Sequence, residues 1–165
     1  MKKRPLVAII MGSDSDLSVM SEAVKVLKEN RISYTVKILS AHRSPEDTAK
    51  FARSARKSGF KVIIAGAGGA AHLAGVIASL TTLPVIGVPM ETKELKGIDS
   101  LFSIVQMPSG IPVAAVTIGK TGAKNAAILA LEILSLSDAR IEKGLAKFKR
   151  SLADNVRKKN SSLKF

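Results

Sequence analysis

The chain has 165 residues and a net charge of +13, and 46% of its residues are hydrophobic but only 4% are aromatic. This length suits one domain with one core, and a core of Ala, Val, Ile and Leu is typical of a buried parallel sheet covered by helices. The sequence contains no Cys, which excludes disulfides, thiolate catalysis and nearly all structural zinc sites and makes a reducing, cytoplasmic compartment the expected location.

Strand and helix patterns alternate from the N-terminus. The apolar run 6–11 predicts a first strand, and apolar residues at helical spacing predict a helix over 17–30. A second strand is expected over 34–39. A helix should begin at the pair 44–45, because Ser can cap a helix and Pro fits its first turn, and it should stop near Gly59.

The alternation continues to the C-terminus. The helix predicted over 122–136 is apolar almost all round, so it must be buried on more than one side; in so small a domain this predicts a subunit interface and a homo-oligomer. A last helix over 138–159 should be amphipathic, and 160–165 should form a flexible tail. The other predicted elements are strands over 60–65, 84–88 and 113–118 and helices over 70–80 and 97–106.

The positive charge is concentrated in the last part of the chain. The segment from Arg140 to Phe165 contains nine basic and two acidic residues, which accounts for +7 of the net charge. We interpret this as the solvated basic face of the last helix, because aromatics are few and no nucleic-acid-binding motif is recognised. Nucleic-acid binding by this tail is the alternative. No apolar run approaches the roughly 20 residues of a membrane span, so no membrane partner is expected.

Five strands alternating with helices predict one α/β domain over 1–165. The expected fold is a three-layer, doubly wound parallel sheet of flavodoxin-like or Rossmann-like type, with its core over 6–136. Such a sheet binds ligands outside the carboxyl ends of its strands. The segments there are 12–16, 40–43, 66–72 and 89–91 and the loops after the fifth strand.

The segment Gly12-Ser13-Asp14-Ser15-Asp16 joins the first strand to a helix. Free N–H groups at a helix start, together with a glycine and two hydroxyls, suit a phosphate, and a carboxylate beside them can accept hydrogen bonds from ribose hydroxyls. Ser and Asp are also common helix caps, but two of each are more than a cap needs. We therefore predict a phosphate site in this segment.

The two histidines, His42 and His72, both fall at predicted carboxyl ends of strands. Arg43 follows the first and can bind an anion in bidentate fashion. Because an imidazole suits acid–base chemistry near neutral pH, we predict that His42 is catalytic. For His72 a structural and a functional role are equally supported.

The glycine-rich segment 66–71 matches the dinucleotide fingerprint G-x-G-x-x-A, and Glu91 lies in range for a ribose-binding acid. That fingerprint normally follows the first strand rather than the third, so we interpret the segment as close backbone approach to a substrate. The third strand lacks the terminal Asp of a phosphorelay receiver. No convincing set of metal ligands is present, and no metal site is predicted.

Several motifs in the same order resemble the class I N5-carboxyaminoimidazole ribonucleotide mutase family over about residues 6–136. The chain departs from the family pattern at Ala74, where Pro is common, and at Ser109, where Arg is common. The motifs that carry the resemblance are Met11-Gly12-Ser13-Asp14-Ser15-Asp16, Ser40-Ala41-His42-Arg43-Ser44-Pro45, 64–73, 86–89, 97–101 and 106–113.

The resemblance implies a cofactor-free isomerase of de novo purine (IMP) biosynthesis, acting as a homo-octamer. It would move a carboxylate from N5 to C4 of the imidazole and form 4-carboxy-5-aminoimidazole ribonucleotide. The alternative is the class II reaction, in which CO₂ carboxylates 5-aminoimidazole ribonucleotide directly. The Gly-Gly-Ala-Ala-His-Leu segment at 68–73 favours class I.

The resemblance also implies a role for each site residue. Ser13 and Arg43 would hold the 5′-phosphate, and Asp16 would bind the ribose hydroxyls. This division leaves Asp14 as a helix-start residue rather than a ligand. His42 would be the general acid–base, and backbone at 67, 68 and 73 would cradle the migrating carboxylate. The remaining substrate-binding residues expected are Ser40, Ala67, Gly68, His72 and Leu73.

Overall fold

The computed structural model describes residues 4–163 of the chain. Their contacts divide the chain into two compact units, Met1–Ala130 and Leu131–Phe165. The first unit contains the sheet, and the second contains the end of one helix and the long helix that follows it. The expectation of a single domain over the whole chain stays a prediction.

A five-stranded sheet runs through the first unit, and every pair of neighbouring strands is parallel. Its strands are β1 (Val7–Met11), β2 (Tyr34–Ile38), β3 (Val62–Ala67), β4 (Val85–Pro89) and β5 (Ala114–Ala115). They lie in the order β2-β1-β3-β4-β5. This is the order of a flavodoxin-like doubly wound sheet, so the predicted fold class is confirmed.

Each predicted helix is present, with its ends shifted by a few residues. The largest shift at a helix start is three residues: the helix after β5 begins at Gly119 instead of 122, and the helix after β3 begins at Leu73 instead of 70. A turn with Gly69 in the left-handed region (φ +65°) fills the gap. The helices are α1 (Leu17–Glu29), α2 (Pro45–Ala55), α3 (Leu73–Leu80), α4 (Ile98–Val105), α5 (Gly119–Ser135) and α6 (Ala139–Ser161), and a short 3-10 helix (Asp14–Asp16) precedes α1.

The central strands are more deeply buried than the edge strand β2. All residues of β1, β3 and β4 are buried, which explains their unbroken apolar sequences, because a strand covered by helices on both faces has no position suited to a polar side chain. The edge strand β2 has its last three residues exposed. The carboxyl ends of the buried strands are therefore held rigidly by the core.

Two strands differ in length from the prediction. β3 extends to Ala67, so Gly66 and Ala67 belong to the strand and not to a turn, because β3 pairs with β1 on one side and β4 on the other. A side chain on Gly66 would meet the ends of the Met20 and Met90 side chains, at 2.7 and 2.5 Å, so both methionines would have to move to admit one. β5 has two residues instead of six, because it lies at the edge and pairs with β4 alone.

The start of α2 uses its serine differently from the prediction. Ser44 makes no side-chain cap. Its hydroxyl instead accepts a hydrogen bond from the Ser40 N–H at 3.0 Å and donates one to the Ser40 carbonyl at 3.2 Å. Ser44 therefore closes the loop that carries His42 and Arg43. The left-handed residue expected after this helix is present at Gly59 (φ +100°).

The second unit consists mainly of α6. Asp138 caps this helix by accepting hydrogen bonds from the N–H groups of Arg140 and Ile141, at 2.9 and 3.4 Å. The helix continues to Ser161, past its predicted end, and residues 164–165 of the predicted tail lie outside the described residues. Within residues 4–163 we find no helix that is both long and apolar enough to span a membrane.

Candidate active site

A cavity of about 550 Å³ opens where β1, β2, β3 and β4 end, at the point where the strand order reverses. This is the crevice in which open α/β sheets bind ligands. Every residue predicted for the site contributes to its wall, so segments distant in the chain meet in one place. The predicted residues that line it are Ser13, Asp16, Ser40, His42, Arg43, Ala67, Gly68, His72 and Leu73.

Arg43 connects the first two loops of the site. Its Nη2 donates a hydrogen bond to the Gly12 carbonyl at 2.8 Å, and its backbone N–H donates to the Ser40 hydroxyl at 3.1 Å. A guanidinium has five N–H donors, and within the described residues only Nη2 and Nε have protein partners. Arg43 is thus fixed beside Gly12 and Ser13 with donors left for an anion.

Ser13 begins the short 3-10 helix and also faces the cavity. Its hydroxyl accepts a hydrogen bond from the Ser15 N–H at 3.4 Å and donates one to the Asp14 carboxylate at 3.0 Å. Asp14 accepts a second hydrogen bond from the Ser15 N–H at 3.1 Å. Asp14 does not line this cavity, which agrees with its interpretation as a helix-start residue.

Asp16 lies on the cavity wall, half-buried, at the end of the 3-10 helix. Burial raises the pKa of its carboxyl above the ordinary value, because the charged form loses hydration. Hydrogen bonds from the Ser15 hydroxyl and the Ser13 backbone and the charge of Arg43 lower the pKa, but they offset only part of this effect. The ionised carboxylate is therefore under-solvated until a ligand supplies donors such as hydroxyls.

We expect Asp16→Asn to weaken ligand binding without lowering stability. Because the pKa is raised in the folded state, folding favours the protonated carboxyl, and ionisation above that pKa costs stability. The neutral Asn avoids this cost, so at neutral pH the variant should melt no lower than the wild type. Any gain in melting temperature of the variant over the wild type should vanish as the pH falls through the pKa of Asp16. Thermal melts across pH, with the exposed Asp47→Asn as control, check this; a markedly lower melting temperature at neutral pH would contradict it.

The two histidines form a pair across the cavity. His42 Nε2 lies 2.8 Å from His72 Nδ1, and the rings meet edge to face, with centroids 5.0 Å apart. A hydrogen bond between two imidazole nitrogens needs a proton on one and a lone pair on the other. One of the two nitrogens therefore donates and the other accepts, and His72 lies in the site rather than in the core.

The turn after β3 brings backbone into the cavity. Gly12 N–H donates to the Gly66 carbonyl at 3.2 Å, and Met90 N–H donates to the Ala67 carbonyl at 2.9 Å, so the strand end is held from both sides. A side chain on Gly68 would come within 3.2 Å of Met90 Cβ. The backbone at 67–68, with only the methyl group of Ala67 and no side chain on Gly68, thus forms one wall of the cavity, which we call the glycine wall.

Six further residues of the wall were not assigned individual roles from the sequence, although all of them lie in the segments predicted to face the ligand. The end of a buried strand is a usable signal, but it does not indicate which residue of the following loop turns inward. These six residues are Gly12, Ser15, Ala41, Ala70, Met90 and Glu91.

Within residues 4–163, no three His, Cys, Asp or Glu side chains lie close enough together to hold a metal ion. The polar groups of the cavity are an imidazole pair, a guanidinium, two carboxylates, hydroxyls and glycine backbone. Such a set can bind a phosphorylated sugar and transfer a proton.

Comparison with known proteins agrees with this geometry. The family model described as AIR carboxylase matches residues 6–155. The N5-carboxyaminoimidazole ribonucleotide mutase of Pyrococcus abyssi is 60% identical over 148 residues, covering 90% of this chain and 84% of that protein. The enzyme of the same name from Bacillus subtilis is 58% identical over 135 residues, covering 82% and 83%.

The solved structures include a similar fold over the full length. The crystal structure of Treponema denticola PurE superposes with a TM-score of 0.88 at 32% identity, covering 98% of this chain and all of that one. The family model spans the whole sheet and every segment of the cavity. On these matches, the chain belongs to the AIR carboxylase family.

Proposed function

We propose that this chain is an N5-carboxyaminoimidazole ribonucleotide mutase, which forms 4-carboxy-5-aminoimidazole ribonucleotide in purine biosynthesis. The observation that carries the proposal is that relatives bearing this name are up to 60% identical over most of the chain. The cavity supports it, because one wall can bind a phosphorylated sugar and the other carries an imidazole beside glycine backbone.

The proposed reaction balances with a single proton-transfer group. The bond between N5 and the carboxylate carbon breaks, releasing CO₂ while N5 takes up a proton. CO₂ then bonds to C4, and C4 loses its proton as the ring regains aromaticity. One proton is delivered and one is collected, so one group can act first as acid and then as base. We assign this role to His42.

The nucleotide would be held by the loops after β1 and β2. Ser13 and Arg43 are proposed to bind the 5′-phosphate, a geometry supported by the anchored guanidinium and by the start of the 3-10 helix beside it. Asp16 is proposed to accept hydrogen bonds from the ribose hydroxyls, which would compensate the burial of its carboxylate. Ser40 would act by holding Arg43.

The migrating carboxylate would lie against the turn after β3. Backbone at Ala67, Gly68 and Leu73 is proposed to cradle it, beside His72, which pairs with His42. Excluding water from this corner would keep the CO₂ from escaping before it reaches C4. No cofactor and no metal take part in the proposed reaction.

We further propose a cytoplasmic homo-octamer, with no nucleic-acid or membrane partner. Large apolar side chains on α4 support self-association, since Phe102 is 58% and Val105 is 49% exposed. An exposed apolar surface of this kind is typical of an interface. The mass of the native protein in light scattering tests the assembly, and a monomeric mass would contradict it.

The purified protein incubated with each candidate substrate, with and without bicarbonate, tests the reaction. We expect product from N5-carboxyaminoimidazole ribonucleotide without added bicarbonate, because the carboxylate that moves is already in the substrate. Heat-inactivated protein provides the background, since N-carboxylated amines also lose CO₂ without an enzyme. Product formed only from 5-aminoimidazole ribonucleotide plus bicarbonate would refute the mutase and favour direct carboxylation.

A further inference from the structure

Two serines of α4 contact the backbone of the turn that forms the glycine wall. The Ser100 hydroxyl accepts a hydrogen bond from the Gly69 N–H at 2.9 Å. The Ser103 hydroxyl lies 3.2 Å from the Gly69 carbonyl and 2.8 Å from the Asp99 carbonyl, so it divides its single proton between them. The two polar groups of one glycine are thus both contacted from the same helix.

Ser100 is the stronger of these two contacts. Its side chain is fully buried and is one of two buried polar residues in the described part of the chain, together with Thr48. A hydroxyl is costly to bury unless it is hydrogen-bonded. The partner of Ser100 is Gly69, which explains why a serine occupies this position in the core.

Gly69 needs such a constraint. It adopts φ +65°, a backbone conformation that glycine alone enters freely. Because it follows Gly68, two successive residues have little intrinsic preference for any one backbone conformation. Its carbonyl also accepts a hydrogen bond from the Ala71 N–H at 2.8 Å. This turn leads directly to His72, whose ring must reach His42. The conformation of Gly69 therefore determines where the second imidazole lies.

The same helix also holds the loop after β4. The Thr92 hydroxyl donates to the Asp99 carboxylate at 2.8 Å and accepts from the Gly97 N–H at 3.1 Å, which ties this loop to the first turn of α4. That loop carries Met90, which packs against Gly68. Both the glycine wall and the segment packed against it are therefore braced by α4, although α4 itself contributes no residue to the cavity.

We propose that Ser100, assisted by Ser103, is a positioning residue that holds the turn at Gly69 so that backbone at 67–68 faces the cavity and His72 meets His42. The kinetic part of this inference rests on the proposed function. The phosphate and ribose contacts lie on the loops after β1 and β2, which Ser100 does not touch. Loss of Ser100 should therefore lower kcat far more than it raises the KM for the ribonucleotide.

The first test compares Ser100→Ala with the wild type and with Ser54→Ala. Ser54 is the control for the same serine-to-alanine change, because its hydroxyl contacts two backbone carbonyls within α2, away from the site and from the turn at Gly69. We expect kcat to fall by about 10- to 100-fold in Ser100→Ala, as for a site displaced by an ångström or less, with KM changed by no more than about threefold. The control should retain both constants.

The second test needs no substrate. In Ser100→Ala the Gly69 amide should exchange with solvent at least about tenfold faster, because its hydrogen-bond acceptor is lost, and the ring ¹⁵N signals of His42 and His72 should shift. Both signals should be unchanged in Ser54→Ala. If Ser100→Ala does not fold, Ser103→Ala should show the same changes with smaller amplitude.

These readouts separate the two proposals. Wild-type protein without mutase turnover would refute the proposed function, while the exchange and ring signals would still decide whether Ser100 holds the turn. Unchanged Gly69 exchange and unchanged histidine signals in a folded Ser100→Ala variant would overturn the positioning role. Equal losses in kcat and in ribonucleotide affinity would also overturn it, since they indicate a general disturbance of the site.

Discussion

His42→Asn is expected to lower kcat by about 1,000-fold or more while leaving ribonucleotide affinity within about threefold of the wild type. Asn has a similar polar shape and can still hydrogen-bond to His72, but it cannot take up or release a proton near neutral pH. The phosphate and ribose contacts are proposed for other side chains, so binding should persist. Single-turnover kinetics with isothermal titration of the same ribonucleotide measure both effects.

His72→Asn is the informative comparison for this variant. His72 pairs with His42 across 2.8 Å but is assigned no proton transfer to substrate, so its loss should reduce kcat by a smaller factor, about tenfold to 100-fold. If His72→Asn is the more damaging substitution, the roles of the two histidines are reversed. A His42→Asn variant that keeps kcat within about tenfold of wild type would refute its acid–base role.

Arg43→Met should raise the KM of the ribonucleotide by about tenfold to 200-fold, since hydrogen bonds to a charged group are worth about 1.5–3 kcal/mol. Met keeps the length and apolar stem of the side chain but removes the donors. The substitution also removes the hydrogen bond to the Gly12 carbonyl, which loosens the contact between the loops after β1 and β2. Initial rates over a range of substrate concentrations measure the effect.

The specificity of this effect can be checked with the dephosphorylated nucleoside. If Arg43 binds the 5′-phosphate, Arg43→Met should weaken inhibition by the product nucleotide but leave weak inhibition by the corresponding nucleoside nearly unchanged. Arg53→Met removes a charge of the same type from α2 outside this cavity and should alter neither. An equal loss for nucleotide and nucleoside would show that Arg43 acts on the shape of the loops and not on the phosphate.

The family match confirmed the resemblance that the motifs indicated. The motifs could indicate it because each is a contiguous segment at the end of a strand. Gly12 to Asp16 and Ser40 to Arg43 each follow a strand, and the carboxyl ends of parallel strands open at the same edge of the sheet. Once the alternation of strands and helices was recognised, these segments could be expected to meet without any knowledge of distances.

The same reasoning was less successful where a side chain hydrogen-bonds to backbone outside its own helix. Ser44 was predicted to cap a helix, because a serine directly before a proline is typical of a helix start. Its side chain instead closes the loop to Ser40. Ser100 appeared only as part of a motif, because its partner Gly69 is 31 residues away. Neither contact has a periodicity or a composition that could reveal it.

The sequence by itself determined the order of the elements, the buried parallel sheet and the segments that line the cavity, because apolar periodicity and turn residues are local properties. Only the tertiary structure decided that His42 and His72 share a hydrogen bond, that burial outweighs Arg43 in setting the pKa of Asp16, and that α4 holds the turn at Gly69. Each of these depends on the distance between side chains brought together by crossover connections, and such distances are properties of the packed sheet and helices.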